Sequence, residues 1–273
     1  MNKTLCCLLI LILACAFSLS ACNDLNNSII NRAIEENYAN IAQLQSDVKD
    51  LKENVKDITT APVTATSDTV WYALGDSITK GYGVGADNCW VNYVMEYNGY
   101  NAKKSKNLGI SGIGFENRDP NYNKTVRGIV DENDFSEVDL VTIAIGINDW
   151  KNSSCSLDTV RSEMAYCFEK ILLDNPYCKI IFIAPFNMSQ KGNESTNWAL
   201  GYSGNDVIGC TLQEFIDAQK TVCEQYGIKV IDMTYDGIIN KENISTVLYD
   251  GLHPDKKCHQ ALGRELARRI SFY

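Results

Sequence analysis

Positive charge is scarce and scattered in this chain: 25 Lys and Arg stand against 34 Asp and Glu, for a formal net charge of −9, and no basic run exceeds a pair such as Lys256-Lys257 or Arg268-Arg269. Affinity for nucleic acid comes from clustered cations on phosphates, so nucleic acid is not an expected partner. Histidine is scarcer still. Only His253 and His259 are present, neither at ligand spacing from a cysteine, so neither a metal nor any other cofactor is expected. The sequence contains no Gly-x-Ser-x-Gly, which removes the nucleophile elbow of the α/β-hydrolases. Its apolar run over residues 5–19 is too short to cross a bilayer comfortably. The eleven cysteines do not form a spaced framework. Cys6, Cys7 and Cys15 lie in the leader and Cys22 ends it, which leaves seven in the domain with no C-x-x-C among them, and an odd count leaves at least one thiol free.

What is present suffices for one sizeable core with extra segments: 273 residues at 45 % apolar composition. Met1-Asn2-Lys3 is a short basic start ahead of the 5–19 run, the pattern of a secretory signal. The run ends in Leu19-Ser20-Ala21-Cys22, which resembles the bacterial lipobox. That resemblance implies acylation of Cys22 and a chain held outside the cytoplasm, anchored to the cell envelope by its lipid; the alternative is ordinary signal cleavage with Cys22 incidental.

Residues 30–58 carry heptads, with Ile34, Ile41, Val48 and Val55 at one seam position and Ile30, Leu44, Leu51 and Ile58 at the other, broken by polar Asn37. Spacing that alternates between three and four predicts a coiled coil, and the β-branched and Leu pattern favours a parallel dimer, with a trimer as the other homo-oligomer. The alternative is an amphipathic helix packed on its own domain. A helix of this length extends about 43 Å. Proline and β-branched residues then break it over residues 59–67. The expected organisation is a signal over 1–22, a stalk over 23–58, a linker over 59–68 and a working domain over 69–273.

Within that domain, apolar runs at 70–74, 138–145, 179–184 and 228–231 and a short strand running into a glycine turn over 107–112 alternate with helical patterns at 89–97, 157–172 and 212–226 and a final helix with Pro254 placed for its first turn. Such alternation predicts a parallel sheet with helices on both faces. Trp90, Tyr93, Val94 and Tyr97 recur at helical spacing and are expected in the core; His259, within the last helix, is expected at the surface.

The first strand stops in Gly75-Asp76-Ser77, which puts a hydroxyl at the carboxyl end of a sheet, where open α/β folds place their chemistry. Taken alone, Asp76 and Ser77 are equally a turn or a helix cap. Gly146-Ile147-Asn148-Asp149 ends another strand, where the Asn148 amide can face a developing oxyanion without adding charge. Gly112, closing Asn107-Leu108-Gly109-Ile110-Ser111-Gly112, can offer a bare backbone N–H. Asp250-Gly251-Leu252-His253 supplies a carboxylate and an imidazole. Ser77, Asp250 and His253 are the three parts of a serine hydrolase relay. Asp76 and Asp149 are read as structural hydrogen-bonding groups.

These four blocks, in this order over residues 70–273, resemble the SGNH, or GDSL-type, hydrolases. The resemblance implies a flavodoxin-like three-layer sandwich, Ser77 as nucleophile, His253 as general base, Asp250 as its orienting acid, and an oxyanion hole from the Ser77 N–H, Gly112 and Asn148. It implies ester hydrolysis through an acyl-enzyme. A polar stretch with Asn187, Gln190, Asn193, Asn197, Trp198, Tyr202 and Asn205 suits a sugar and suits a solvated loop equally. Deacetylation of a carbohydrate is the favoured reading; the others are a lipase or lysophospholipase, and, from another class, a surface-tethered glycan-binding or assembly protein.

Overall fold

The computed structural model describes residues 68–121, 123–189 and 206–271, and in the N-terminal region the helical, exposed positions Asn37, Ala39, Asn40, Gln43, Ser46 and Lys49. The chain divides into two compact units, residues 1–51 and 52–273. Cys22, the leader and every seam position of the heptads except Asn37 lie outside the described residues, as do residues 190–205 of the polar stretch.

In the second unit, five strands form one parallel sheet: β1 (Trp71–Gly75), β2 (Lys106–Gly109), β3 (Leu140–Ala144), β4 (Lys179–Ile183) and β5 (Lys229–Ile231), in spatial order β2-β1-β3-β4-β5. Between and after them come α1 (Ser77–Lys80), α2 (Trp90–Asn98), α3 (Val126–Glu132), α4 (Ile147–Trp150), α5 (Leu157–Asp174), α6 (Leu212–Gln225), α7 (Ile244–Val247) and α8 (Lys256–Ser271). β3, β4 and β5 are shorter than the apolar runs that announced them, whereas β1 is shifted by one residue to end in Gly75.

Right-handed crossovers from this strand order put α2 on one face of the sheet and α3, α5 and α6 on the other. Consecutive residues of β1 confirm it, since side chains alternate across a strand. Trp71 packs on Trp90 of α2 at 5.9 Å between ring centroids, whereas Tyr72 meets Phe135, just past α3, at 5.7 Å. Trp71 and Trp90 are fully buried, and truncating either to alanine would cost on the order of 3–5 kcal/mol. Trp71 Nε1 is satisfied by Thr142 Oγ1 at 3.0 Å on the neighbouring strand.

Helix starts follow local chemistry. Ser156 caps α5 by accepting from the Thr159 N–H, and Thr211 with Glu214 forms a reciprocal capping box at α6. The start of α2 differs, because its cap residue Cys89 makes no side-chain capping bond. His259 of α8 supplies the acceptor, its Nδ1 taking the Trp90 N–H at 3.2 Å. This corrects the surface position expected for His259, which is fully buried. Tyr97, expected in the core, is exposed and stacks on Tyr93 at 6.4 Å. Pro254 precedes α8 rather than opening it: it bridges to Leu248, and the Asp255 side chain caps the helix by accepting from the Cys258 N–H at 2.7 Å.

All seven domain cysteines are free thiols, and every one but Cys210 is buried. They fill space as small apolar groups.

β1 lies between β2 and β3, and the chain leaves it first towards one edge and then the other. Such a switch point opens a crevice at the carboxyl ends of the strands. There Gly75 stands in register with Gly109 on one side and Ala144 on the other.

Candidate active site

Ser77, Gly112 and Asn148 follow those three register partners by two, three and four residues, so adjacent strands deliver all three to one edge of the sheet. Asp76 ends β1 sharply: its Oδ1 accepts the Ile78 N–H at 2.9 Å and starts α1, so Ser77 is the first residue of a short helix. Ser77 is 5 % exposed, in a wall rather than on a surface.

His253 arrives from 176 positions along the chain, and its Nε2 lies 2.8 Å from Ser77 Oγ. The other ring nitrogen, Nδ1, meets Asp250 Oδ2 at 2.7 Å. Asp250 Oδ1 accepts the N–H groups of Leu252 and His253, at 3.0 and 2.8 Å. Partial burial pushes the Asp250 carboxyl up, but these backbone donors and the imidazole outweigh it and hold the group below the usual carboxylate range. An ionised Asp250 keeps a proton on Nδ1 and turns the lone pair of Nε2 towards the hydroxyl.

The loop carrying both residues is tied at its base. Tyr249 N–H donates to His253 O at 3.1 Å, Asp255 N–H to Val247 O at 2.8 Å, and Ser189 N–H to Gly251 O at 2.8 Å. A carboxylate and an imidazole three residues apart therefore share one rigid turn.

Next to Asn148 in α4, Asp149 holds the loop that carries Gly112. It is fully buried, and its two oxygens accept the N–H groups of Phe115, Glu116 and Asn117 at 2.9, 2.8 and 2.8 Å. A Cβ at Gly114 would stand 2.4 Å from Asp149 Oδ1, so only glycine lets the loop wrap the carboxylate this closely. Burial pushes the Asp149 carboxyl up more strongly than these three donors pull it down. Asp76 is pushed up to about 7 by burial, reinforced by the charge of Asp149 and opposed by the Ile78 N–H. Both carboxylates act on backbone, in keeping with the structural role read from the sequence.

The wrapped loop carries Gly112 and Ile113. Asn117 Nδ2 donates to Gly112 O at 2.7 Å, and Asn148 Nδ2 donates to Ile113 O at 2.8 Å. A primary amide has two N–H groups, so Asn148 keeps a second donor. No acceptor among the described residues claims the backbone N–H of Ser77 or Gly112.

An acyl transfer needs a nucleophilic oxygen bonded to a base, the base oriented by a carboxylate, and donors for a tetrahedral oxyanion. The model matching this chain, over residues 73–261, is that of the GDSL-like lipase/acylhydrolase family.

The chain belongs to this family.

As a GDSL-like acylhydrolase it is a hydrolase of ester bonds. No curated protein matches the chain. Among solved structures it is similar to a member of the lipolytic protein G-D-S-L family from Veillonella parvula, at 17 % identity over 73 % of this chain and 97 % of that one, with a TM-score of 0.54. It is similar to a protein from Lactobacillus plantarum at 16 % identity, 75 % and 97 % coverage and a TM-score of 0.58. A third similar structure is a carbohydrate esterase family 2 enzyme with a carbohydrate-binding domain from Corynascus thermopiles, at 17 % identity, 77 % and 68 % coverage and a TM-score of 0.56. At these identities the likeness establishes the GDSL fold.

Asn187, counted from sequence with the sugar-suited amides, serves the interior instead. It is buried, and its Nδ2 donates to the carbonyls of Thr234 and Ile239. Sequence reasoning missed Asn117, whose type carries no signal outside its loop, and Tyr82 and Tyr249, which flank His253. For Tyr249 a signal existed, since it immediately precedes Asp250.

Proposed function

We propose that this ester hydrolase acts outside the cytoplasm and deacylates a carbohydrate, with an O-acetyl sugar as the simplest substrate. Ser77 is the nucleophile, His253 the general base and then acid, and Asp250 the orienting carboxylate. The observation that carries the assignment is the 2.8 Å separation of Ser77 Oγ and His253 Nε2.

Ser77 Oγ attacks the ester carbonyl carbon as His253 Nε2 takes the hydroxyl proton. The carbonyl oxygen becomes an oxyanion, which the N–H groups of Ser77 and Gly112 and the free amide N–H of Asn148 receive. Collapse expels the alcohol, protonated by Nε2, and leaves an acyl-serine. Water then attacks the acyl carbon, giving its proton to Nε2, and the acid departs as Ser77 regains a proton. Asp250 stabilises the imidazolium in both halves without taking its proton.

Two observations support a sugar over a long-chain lipid. Half-exposed tyrosines stand beside His253, and a carbohydrate esterase uses the same scaffold. The lipobox-like Leu19-Ser20-Ala21-Cys22 supports a lipid on Cys22 and attachment to the cell envelope, and the 30–58 heptads support a dimer or trimer.

The test is acetate release from acetylated xylo-oligosaccharides and turnover of p-nitrophenyl acetate by the purified protein and its Ser77→Ala variant. Loss of both activities in the variant is expected. Equal rates from the two proteins would overturn the assignment and favour a glycan-binding module.

A further inference from the structure

Two half-exposed tyrosines stand together beside the buried catalytic imidazole. Tyr82 follows α1, its N–H donating to Ser77 O at 2.9 Å, and Tyr249 stands immediately before Asp250. The Tyr82 ring centroid lies 4.7 Å from that of His253, tilted by 44°. Tyr249 lies 5.7 Å from it and nearly parallel, at 21°, and the two tyrosines stack on one another at 6.4 Å. His253 keeps only 12 % of its side chain exposed, whereas Tyr82 and Tyr249 are 52 % and 44 % exposed.

This wall is built in. Tyr249 rests directly on the backbone of Gly83, where a Cβ would meet the ring at 2.6 Å. Tyr82 is tied by its N–H to the Ser77 carbonyl and Tyr249 adjoins Asp250, so both rings are fixed to the segments that carry the relay. Yet the relay needs neither: the orientation of His253 is already set by Asp250 through Nδ1. Two large rings left half in water beside a reacting centre are surface kept for a ligand.

Reaction geometry says which half of the ester they meet. The carbonyl oxygen faces the donors at the ends of β1, β2 and β3, and the proton that releases the alcohol comes from His253 Nε2. The leaving oxygen is therefore beside the imidazole, and whatever it is attached to lies against the rings that flank it. We infer that Tyr82 and Tyr249 determine specificity for the alcohol, binding a saturated six-membered ring, a pyranose in the sugar reading, by stacking on its C–H face. This inference rests on the proposed roles of Ser77 and His253 and deepens the carbohydrate reading.

The test compares methyl acetate, cyclohexyl acetate and an acetylated xyloside, with methyl butyrate and methyl hexanoate as probes of the acyl side, on the full chain and on Tyr82→Ala, Tyr82→Phe, Tyr249→Ala and Tyr249→Phe. Each alanine variant should lower the ratio of kcat/KM for cyclohexyl acetate to that for methyl acetate about three- to tenfold, mainly through KM. Each phenylalanine variant should restore the ratio, and preference among acyl lengths should not move. An unchanged ratio, an equal fall on every ester, or a change in acyl-length preference would overturn the inference, the second because it marks rings that only steady His253. Wild-type preference for cyclohexyl acetate without turnover of the xyloside would instead sink the carbohydrate reading and leave the ring subsite standing.

Discussion

The side chain of Asn148 donates to the Ile113 carbonyl at 2.8 Å, one residue past Gly112. This bond joins two of the proposed oxyanion donors, at the ends of β3 and β2, into one unit before substrate arrives. A preorganised donor acts on the transition state without paying to reorient. Asn148→Ala should lower kcat by about 10² to 10³ with an unchanged far-UV circular dichroism spectrum. Wild-type kcat in that variant would remove Asn148 from the site.

Asp149 gathers three backbone N–H groups that no other acceptor among the described residues reaches. An asparagine there offers one carbonyl oxygen and turns an N–H towards donors, so Asp149→Asn should cost about 1–3 kcal/mol in urea unfolding and should slow turnover as the loop holding Gly112 loosens. Gly114→Ala reaches the same outcome by intruding on the carboxylate. If the urea midpoint and kcat of both variants matched wild type, the loop would owe nothing to Asp149.

Asp250→Asn keeps the shape of the turn and presents an amide to Nδ1. The imidazole is then free to carry its proton on Nε2, facing Ser77, where it cannot act as a base. Turnover should drop by about 10⁴. A loss under tenfold would show that the tautomer is held by something other than Asp250.

Burial holds His259 neutral down to about 4, well below its ordinary value near 6.5, and nearby Asp255 only partly offsets this. The unfolded chain therefore binds a proton between those values that the folded chain refuses. The stabilisation is fully present above 6.5 and is lost as pH falls towards 4, by about 3 kcal/mol. Asp76 works the other way, since a carboxyl raised to about 7 from 3.8 favours the fold most at low pH and loses that contribution as pH rises through 7. The two overlap, so the measurement is a difference. His259→Asn keeps an acceptor for the Trp90 N–H, and urea unfolding at pH 7 and pH 4 should show wild type losing about 3 kcal/mol more than the variant. Equal losses would reject the assignment.

Cys22→Ser should abolish metabolic labelling with palmitate and release the protein from the membrane fraction; labelling equal to wild type would place the lipid elsewhere. Sedimentation of residues 23–273 against 69–273 should show an oligomer only for the longer chain. Two monomers would reject the stalk as its source.

Much of the sheet is legible in the sequence. The apolar runs at 138–145 and 179–184 contain β3 and β4, and the run at 70–74 covers all of β1 but Gly75, because a strand covered on both faces must be continuously apolar. Gly75-Asp76-Ser77 and Asp250-Gly251-Leu252-His253 are legible too, since each packs a cap or turn and a reactive group into four residues or fewer.

Residues whose role depends on a distant partner were misread. His259 looked like a surface residue of a polar helix, and only the packing of α8 on α2 turned it into the acceptor for Trp90. Asn187 suited a sugar or a solvated loop equally until Thr234 and Ile239 closed on it. Tyr82 carried no signal of its own in the sequence, and it lines the site because Tyr249 stacks against it.

The local pattern of this chain therefore determined its strands, its turns and the kinds of group they end in, because those depend on neighbours a few residues away. Tertiary structure alone decided which groups meet: the order β2-β1-β3 that lines up the ends of three strands, and the closure of α8 onto α2 beside the turn that carries His253 to Ser77. Such meetings depend on which faces bury one another, and no window along the sequence contains both faces.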